Sequence, residues 1–328
     1  MSIDWKRFSQ IIREHNNFVL VSHIRPDCDA LGSELGMAGI LDQLGKKVRI
    51  VNGQQTPPNL QFIDPQNRIL AINVSIQPAE LADADCFLIL DTSAKIQLGP
   101  MLPVIENAQA KRMILDHHVS DDGLDAEIFK RTSAEATGTL VVEAAEQLGV
   151  QLNVAIAVPL FAAIATDTGW FRFGSVSDYT FEVIGKLMRA GAVPAQIYQD
   201  LYERETAGRV RLRGLVLSRI NTELDGRLAY THVLKEDYAA TGALPTETED
   251  LVNGALEIDG TQFAVIMIEQ PTGGFKISFR SRCAVACNEV AANFGGGGHK
   301  AAAGAFIKSD FADVQSRILT VVRQALSK

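Results

Sequence analysis

The sequence predicts an α/β protein of two domains: a parallel sheet flanked by helices, then a smaller α+β domain. In the first half, short apolar runs rich in β-forming residues alternate with helical patterns, which is typical of a parallel sheet. After about residue 220 strand-like runs follow one another, and two of them are separated by the turn sequence PTGG. A length of 328 residues is enough for two buried cores.

The first domain is predicted to span residues 1–194 and to contain the strands FVLVSH, KVRIVNG, CFLILD and RMILDHH. Helices are predicted from near Leu31 through Leu44, and then over Thr139 to Leu148, Val154 to Thr166 and Phe181 to Arg189. Polar residues that follow three of these strands should meet at the carboxyl edge of the sheet, where open α/β sheets bind their ligands.

A charged, helical stretch over residues 195–219 is predicted to connect the two domains. The second domain is predicted at residues 220–328, with strands RLAYTHVL, QFAVIMIEQ and FKISFRSR. The last two strands should form an antiparallel hairpin around PTGG.

Composition limits the partners of this protein. The net charge is −8 and there is no basic run, so a long nucleic acid duplex is not an expected substrate. No run of about 20 apolar residues is present, and the polar start does not resemble a secretory signal, so a cytoplasmic protein without membrane contact is expected. The four cysteines show no paired spacing and are predicted to be free thiols.

The strongest chemical signal lies in HIRPDCD, directly after the first strand. His23, Asp27 and Asp29 carry imidazole and carboxylate groups that can converge on cations, and Pro26 restricts the backbone that presents them. A helix-capping loop is the structural alternative.

Three further signals end apolar elements: Asp91 after CFLILD, the tripeptide Asp116, His117 and His118 after RMILDHH, and Asp167 after an apolar helix. Each alone has a structural interpretation as a turn or cap residue. Four acid or histidine clusters at the ends of four apolar elements are hard to attribute to independent surface turns, and their conjunction favours a metal site.

Two features of the second domain suggest anion binding. The run Gly295 to Gly298, with His299 after it, offers open backbone N–H groups and a ring donor, and Gly296, Gly297 and Gly298 are the candidate contacts. Arg280 and Arg282 alternate on FKISFRSR and so share one face of that strand, where they could grip a phosphate. A flexible linker and a solvated sheet face are the respective alternatives.

Arg172 and the aromatic residues Trp170, Phe171 and Phe173 closely follow Asp167. A phosphate-binding role for the arginine and base stacking for the aromatics are the functional interpretations. Core packing explains the aromatics equally well.

Together these motifs resemble the DHH phosphoesterase superfamily, specifically its DHH/DHHA1 branch of nanoRNases and 3′-phosphoadenosine-5′-phosphate (pAp) phosphatases. The resemblance covers nearly the whole chain and rests on HIRPDCDALGS, the aspartate of LILDTS, the DHH tripeptide, TDTGWFRF and GGGGHKAAAG, in that order. No expected ligand position departs from the family pattern. The resemblance implies an N-terminal DHH domain, a C-terminal DHHA1 domain and an active site in the cleft between them.

The resemblance also implies two divalent cations, most often manganese, with magnesium as the alternative. The first would be held by His23, Asp27 and Asp91, and the second by Asp29, Asp91, His117 and Asp167. Asp116 would then orient a neighbouring histidine, and His118 would contact the phosphate or assist the leaving oxygen. Thr137, Gly138 and Thr139 resemble a segment near the family's active site, although a helix N-terminus explains them as well.

The predicted function is therefore two-metal hydrolysis of very short RNA or DNA oligonucleotides, with pAp as a further substrate. A cyclic or linear dinucleotide phosphodiesterase and a non-catalytic nucleotide sensor are the alternatives. Processive exonuclease activity of the RecJ type is not expected, because the chain lacks extra domains and a basic path. The glycine-histidine pattern differs from the C-terminal domain of family II pyrophosphatases. A homodimer is expected from the resemblance alone.

Overall fold

The structure is a computed structural model that describes residues 3–119 and 123–327. The chain divides into two compact units, Met1–Glu203 and Arg204–Lys328. Each unit has its own six-stranded sheet and its own apolar cores, so the predicted α/β class is confirmed. Within the described residues, no helix combines the length and apolar character needed to cross a membrane.

The first unit is built from six strands and seven α-helices among its described residues, with three short 3-10 helices besides. The strands are β1 (Asn17–Val21), β2 (Lys47–Asn52), β3 (Ile69–Ala71), β4 (Cys86–Leu90), β5 (Lys111–Asp116) and β6 (Glu127–Lys130). The helices are α1 (Trp5–Glu14), α2 (Cys28–Gln43), α3 (Met101–Asn107), α4 (Thr137–Leu148), α5 (Val154–Asp167), α6 (Asp178–Arg189) and α7 (Pro194–Tyr202).

The first sheet is parallel throughout and has the order β3-β2-β1-β4-β5-β6. Alternate residues of β1 enter different cores, Phe18 and Leu20 on one face and Val19 and Val21 on the other. The strand order reverses between β1 and β4. Open α/β sheets bind ligands outside the carboxyl ends of the strands at such a switch point.

Two predicted helix starts are wrong by about one turn, and local capping explains both. Helix α2 begins at Cys28 rather than near Leu31, because the Asp27 side chain accepts a hydrogen bond from Ala30 N at 3.0 Å. Helix α6 begins at Asp178 rather than Phe181, because the Ser177 side chain caps it.

Helices α2 and α5 are buried and pack antiparallel through small residues. A β-carbon at Gly32 would lie 2.4 Å from Pro159 O, and one at Gly36 would lie 2.5 Å from Leu160 side-chain atoms. Only glycine permits this approach at position 32, where the obstacle is backbone. The packing brings the beginning of α2 to the end of α5, so Asp29 and Asp167 come together.

The second unit has six strands and five α-helices among its described residues, with one short 3-10 helix besides. The strands are β7 (Asn221–Glu223), β8 (Leu228–Val233), β9 (Phe263–Glu269), β10 (Phe275–Ser281), β11 (Gly297–Gly298) and β12 (Ala302–Ile307). The helices are α8 (Ala207–Ser218), α9 (Lys235–Thr241), α10 (Asn253–Leu256), α11 (Cys287–Ala292) and α12 (Phe311–Leu326).

The second sheet is mixed, with the order β11-β12-β10-β9-β8-β7. Strands β9 and β10 pair antiparallel on either side of PTGG, so the predicted hairpin is confirmed. The predicted connector is two helices, since α7 ends at Tyr202 in the first unit and α8 begins at Ala207 in the second. The domain limits 1–194, 195–219 and 220–328 stay predictions.

Candidate metal centre

The carboxyl ends of β1, β4 and β5 carry the predicted site residues of the first unit. Asp91 directly follows β4. His23 lies two residues beyond the end of β1, which is the strand next to β4 in the sheet. Asp116 ends β5, and His117 and His118 follow it. These side chains therefore collect at the switch point because adjacent parallel strands end at the same edge.

His23, Asp27 and Asp91 form one group whose potential ligand atoms lie within 4.8 Å of one another. His23 Nε2 is 3.3 Å from Asp91 Oδ2 and 3.9 Å from Asp27 Oδ2. The other ring nitrogen, Nδ1, lies 3.1 Å from Ile24 O, which favours a proton on Nδ1 and leaves Nε2 as the ligand atom.

Asp29, His117 and Asp167 form a second group within the same 4.8 Å limit. His117 Nε2 is 3.8 Å from Asp29 Oδ2 and 3.5 Å from Asp167 Oδ2. It is also 3.5 Å from Asp91 Oδ1, so the two oxygens of Asp91 face different groups. His117 Nδ1 lies 3.1 Å from Ala134 O, which directs Nε2 toward the carboxylates.

The carboxylates of this centre repel one another. Burial raises the pKa of Asp91 well above its usual range, and the charges of Asp29 and Asp27 raise it further. Burial also raises the pKa of Asp29, and burial with the charge of Asp29 raises that of Asp167 to about 6. Such a set of buried, oxygen-rich acids and imidazoles fits hard divalent cations, which would neutralise the repulsion.

Asp116 and His118 form a hydrogen-bonded pair beside these groups, and His118 also forms a third group of potential ligands with Asp91 and His117. Asp116 is fully buried, and its Oδ1 accepts from His118 Nδ1 at 2.9 Å and from His118 N at 3.0 Å. Burial alone would raise the pKa of Asp116, but these bonds and one from Ser93 lower it to about 2. The hydrogen bond to Asp116 raises the pKa of His118, whose side chain is half-exposed. His118 Nε2 is thus left to face a ligand.

Three residues of the centre were missed or left undecided by the sequence. Ser93 Oγ donates to Asp116 Oδ2 at 2.7 Å, and Lys130 Nζ lies 3.3 Å from the same oxygen. Lys130 ends β6 and lies opposite Asp116 in the register of the sheet. The only sequence signal for its place in the centre was a lysine at the end of a short strand. Thr137 contacts both Asp29 and Asp91 through hydrogen bonds.

Structural and metal-binding interpretations coincide at two of the acids. Asp27 caps α2, and Asp29 accepts hydrogen bonds from Thr137 N and Gly138 N at the start of α4. Capping therefore holds these side chains in place beside the other donors, and does not remove them from the site. Cys28, between the two, is 3% exposed and belongs to the apolar core.

The segment after Asp167 makes a left-handed turn. Trp170 and Phe171 have φ values of 58° and 64°, a region that bulky side chains rarely adopt. Both rings pack on the buried Phe161, with ring centroids 6.0 and 6.1 Å away. Arg172 is exposed, and its Nε donates to Gly169 O at 2.7 Å.

In the second unit, Arg280 lies on β10 and Arg282 directly follows it, because the strand ends at Ser281 and not at Arg282 as predicted; both arginines contact α10. Arg280 Nε donates to Asn253 Oδ1 at 3.2 Å, and Arg282 Nη1 donates to Leu256 O at 2.8 Å. Because of these contacts with α10, the two arginines do not lie on a fully solvated surface. Each guanidinium keeps further N–H groups for another acceptor.

The glycine run is not a simple loop, because Gly297 and Gly298 pair with Gly304 and Ala303 of β12. Gly295 has a φ of 69° after α11, as a left-handed helix end requires. A β-carbon would meet backbone 2.2 Å away at Gly296 and 2.6 Å away at Gly298, but nothing within 4 Å at Gly297. Backbone conformation thus explains Gly295, and packing explains Gly296 and Gly298, whereas neither explains Gly297. His299, which follows, is exposed.

The pKa of Asp167 predicts how the metal-free protein responds to pH. Because its native pKa of about 6 exceeds the usual 3.8, the native state holds more protons between these values, and the stability contributed by Asp167 falls as pH rises through this window. Asp167→Asn should therefore raise the melting temperature at pH 7.5 in a chelator, and the gain should disappear near pH 4. Thermal unfolding followed by circular dichroism measures both. An equal gain at both pH values would contradict the assignment.

Two family models match the chain. The model described as DHH family, N-terminal domain, matches residues 17–164, and that of the DHHA1 domain matches residues 227–328. A bifunctional oligoribonuclease and PAP phosphatase NrnA from Thermus thermophilus is 28% identical over 320 residues, with 94% of this chain and 90% of the relative covered. The protein of the same name from Bacillus subtilis is 26% identical over 298 residues, with 90% of each covered.

Among solved structures, an exopolyphosphatase-related protein from Bacteroides fragilis superimposes with a TM-score of 0.85 at 26% identity. The match covers 98% of this chain and 95% of that protein. Both units therefore have counterparts in a single known chain.

Proposed function

The chain belongs to the DHH family, with a DHH N-terminal domain followed by a DHHA1 domain, and from this membership we propose that it is a two-metal phosphoesterase acting on very short oligonucleotides and on pAp. The names of its relatives from Thermus thermophilus and Bacillus subtilis, each a bifunctional oligoribonuclease and PAP phosphatase, support this substrate class.

One observation carries the proposal: Asp91 turns one carboxylate oxygen toward His23 and the other toward His117, so it can belong to two cation sites at once. We propose that the first cation is held by His23, Asp27 and Asp91. We propose that the second is held by Asp29, Asp91, His117 and Asp167. Manganese is the proposed ion, since the donors are mainly oxygen with some imidazole and no thiolate. Two such cations polarise a phosphoryl group and make a water molecule more acidic.

The protein's own groups then bind and orient the substrate. His118, kept protonated to higher pH by Asp116, can donate a proton from Nε2 to a phosphate oxygen or to the leaving oxygen. Further anionic groups of the substrate are assigned to Arg172, Arg280, Arg282, Gly296, Gly297, Gly298 and His299. The predicted placement of the active site in a cleft between the domains stays a prediction, as does a homodimer.

A short substrate is favoured by electrostatics. The net charge of −8 and the lack of a long basic run disfavour the binding of a polymer with many phosphates. A dinucleotide or pAp carries few phosphates and needs only local cationic groups.

The proposal is tested by product analysis with added Mn²⁺. Purified protein is incubated with pAp, a linear dinucleotide, a cyclic dinucleotide, a 5-mer and a 30-mer, and products are identified by mass spectrometry. Turnover of the dinucleotide, with pAp converted to AMP and the 30-mer left intact, is expected. Equal rates on the dinucleotide and the 30-mer would overturn the short-substrate proposal, and binding without turnover of any compound would indicate a sensor.

Gly297→Ala tests the proposed anion site of the second unit. A β-carbon there meets no protein atom within 4 Å, so the melting temperature should not fall, whereas a ligand that closely approaches this backbone should be pushed away. KM for the dinucleotide should rise on the order of tenfold, equivalent to about 1.4 kcal/mol. Steady-state kinetics gives the value.

Gly298→Ala provides the contrast, because φ is 142° and backbone lies 2.6 Å from the new β-carbon. That variant should lose stability as well as binding. An unchanged KM in Gly297→Ala would remove Gly297 from the binding site.

A further inference from the structure

A single short segment contacts three of the proposed metal ligands. This positioning segment, Ala134–Gly138, runs from the loop after β6 into the first turn of α4. Ala134 O lies 3.1 Å from His117 Nδ1. Thr137 N and Gly138 N donate to the two oxygens of Asp29 at 2.7 and 2.9 Å. The hydroxyl of Thr137 donates to Asp91 Oδ1 at 2.9 Å.

We propose that Thr137 is a positioning residue, which sets the affinity of the centre for cations by holding the carboxylates of Asp91 and Asp29 in their ligating orientations. The inference rests on the proposed function for the identity of the site. It extends that function to a residue that is not itself a proposed ligand.

The case for Thr137 begins with the freedom of the Asp91 carboxylate. The terminal torsion of an aspartate is broad, so burial alone does not fix which way the two oxygens point. The Thr137 hydroxyl binds Oδ1, the oxygen that faces His117, and leaves Oδ2 toward His23. Because both residues are at most 1% exposed, water does not compete for this bond.

Capping of α4 explains only part of these contacts. The N-cap residue Ala136 has no side chain that can cap, so Asp29 satisfies the free N–H groups of the first turn. The Thr137 hydroxyl does not bind a free backbone group at the end of α4. Its acceptor is the side chain of Asp91, which follows β4. A structural requirement of α4 therefore does not account for this hydrogen bond.

The positioning segment is itself anchored at both ends. Before it, the Arg131 guanidinium pairs with Glu143 of α4, with Nη1 to Oε2 at 2.9 Å, and Arg131 N donates to Asp116 O at 3.2 Å. Behind Gly138, an added β-carbon would lie 3.0 Å from Ala163 of α5 and 3.3 Å from Asp29 Oδ1. The start of α4 thus approaches Asp29 closely because position 138 is glycine.

Thr137→Val and Thr139→Val form a matched pair for the test. Both threonines are fully buried in the first turn of α4, and each loses one hydroxyl hydrogen bond. The acceptor of Thr139 is Glu135, at 2.9 Å, which belongs to the positioning segment but is not a proposed ligand, so this variant removes a bond of the segment without removing a bond to the centre. Isothermal titration with Mn²⁺ alone and thermal unfolding in a chelator are measured for both variants, for Thr137→Ser and for the wild type.

Thr137→Val should bind Mn²⁺ about tenfold more weakly, in the range found when a group that orients a metal ligand is removed. Thr139→Val should keep wild-type affinity despite a comparable loss of melting temperature, and Thr137→Ser should restore affinity by retaining the hydroxyl. Wild-type affinity in Thr137→Val, equal weakening in Thr139→Val, or no rescue by serine would each overturn the inference. Wild-type protein that binds Mn²⁺ without turning over any phosphate ester, with Thr137→Val still weakened, would overturn the proposed function alone.

Discussion

Asp91→Asn should reduce kcat/KM for a dinucleotide in Mn²⁺ by about 10³-fold or more, a loss of roughly 4 kcal/mol of transition-state stabilisation. Asp91 is the residue whose two oxygens face both ligand groups, so its replacement weakens both cation sites together. Steady-state kinetics and Mn²⁺ titration should change in parallel. A variant that kept a tenth of the wild-type activity would show that Asp91 is not shared by two sites.

Asparagine is the suitable replacement at this position for a backbone reason. Asp91 has a φ of 63°, and asparagine tolerates this left-handed region better than alanine does. The turn after β4 should therefore persist. Asp83→Asn is the control, because Asp83 is an exposed acid paired with Lys47 and Arg49 away from the centre. Its activity should equal that of the wild type.

Asp116→Asn should lower kcat by about 10²- to 10⁴-fold, the usual contribution of a positioned proton donor. The amide cannot accept from Ser93 at the Oδ2 position as the carboxylate does, and it cannot keep the His118 ring charged. The bond to Asp116 raises the pKa of His118. In a plot of activity against pH, the alkaline decline of the variant should therefore begin at a lower pH than that of the wild type.

Mn²⁺ affinity separates this role from metal binding. Since Asp116 is not a proposed ligand, the affinity of Asp116→Asn should fall far less than its kcat. Asp85→Asn is the matched control, because Asp85 accepts hydrogen bonds from Asn16 N and Asn17 N, both at 2.9 Å, at the opposite edge of the sheet. If affinity and kcat of Asp116→Asn fell equally, His118 would be a ligand and not a proton donor.

The ends of the strands were predictable from sequence because chemistry and periodicity agree there. Apolar runs that end in acids or histidines place His23, Asp91 and His117 at one edge of a parallel sheet, whatever the details of the helices. The arrival of Asp167 was not predictable in this way, since it depends on the antiparallel packing of α2 and α5. Gly32 and Gly36, at helical spacing on α2, were the signal for that packing.

Residues outside the acid and histidine clusters were harder to assign. Thr137 begins a helix, and a threonine at a helix start has an ordinary explanation, so its hydroxyl contact with Asp91 appears only in three dimensions. In the glycine run, four identical residues give no indication that two are required by packing, one by a positive φ and one by neither. Arg280 and Arg282 both contact α10, which could not be foreseen from alternation, and β10 ends at Ser281, before Arg282.

Because α2 and α5 pack so closely, the packing of the protein interior sets the distance between two proposed ligands, Asp29 and Asp167. Surface loops around the centre can change in sequence without altering that distance, because they do not set it. One extra methyl group at Gly32 would instead push the two helices apart. It would thereby change the distance between Asp29 and Asp167, although both lie several residues from the site of the change.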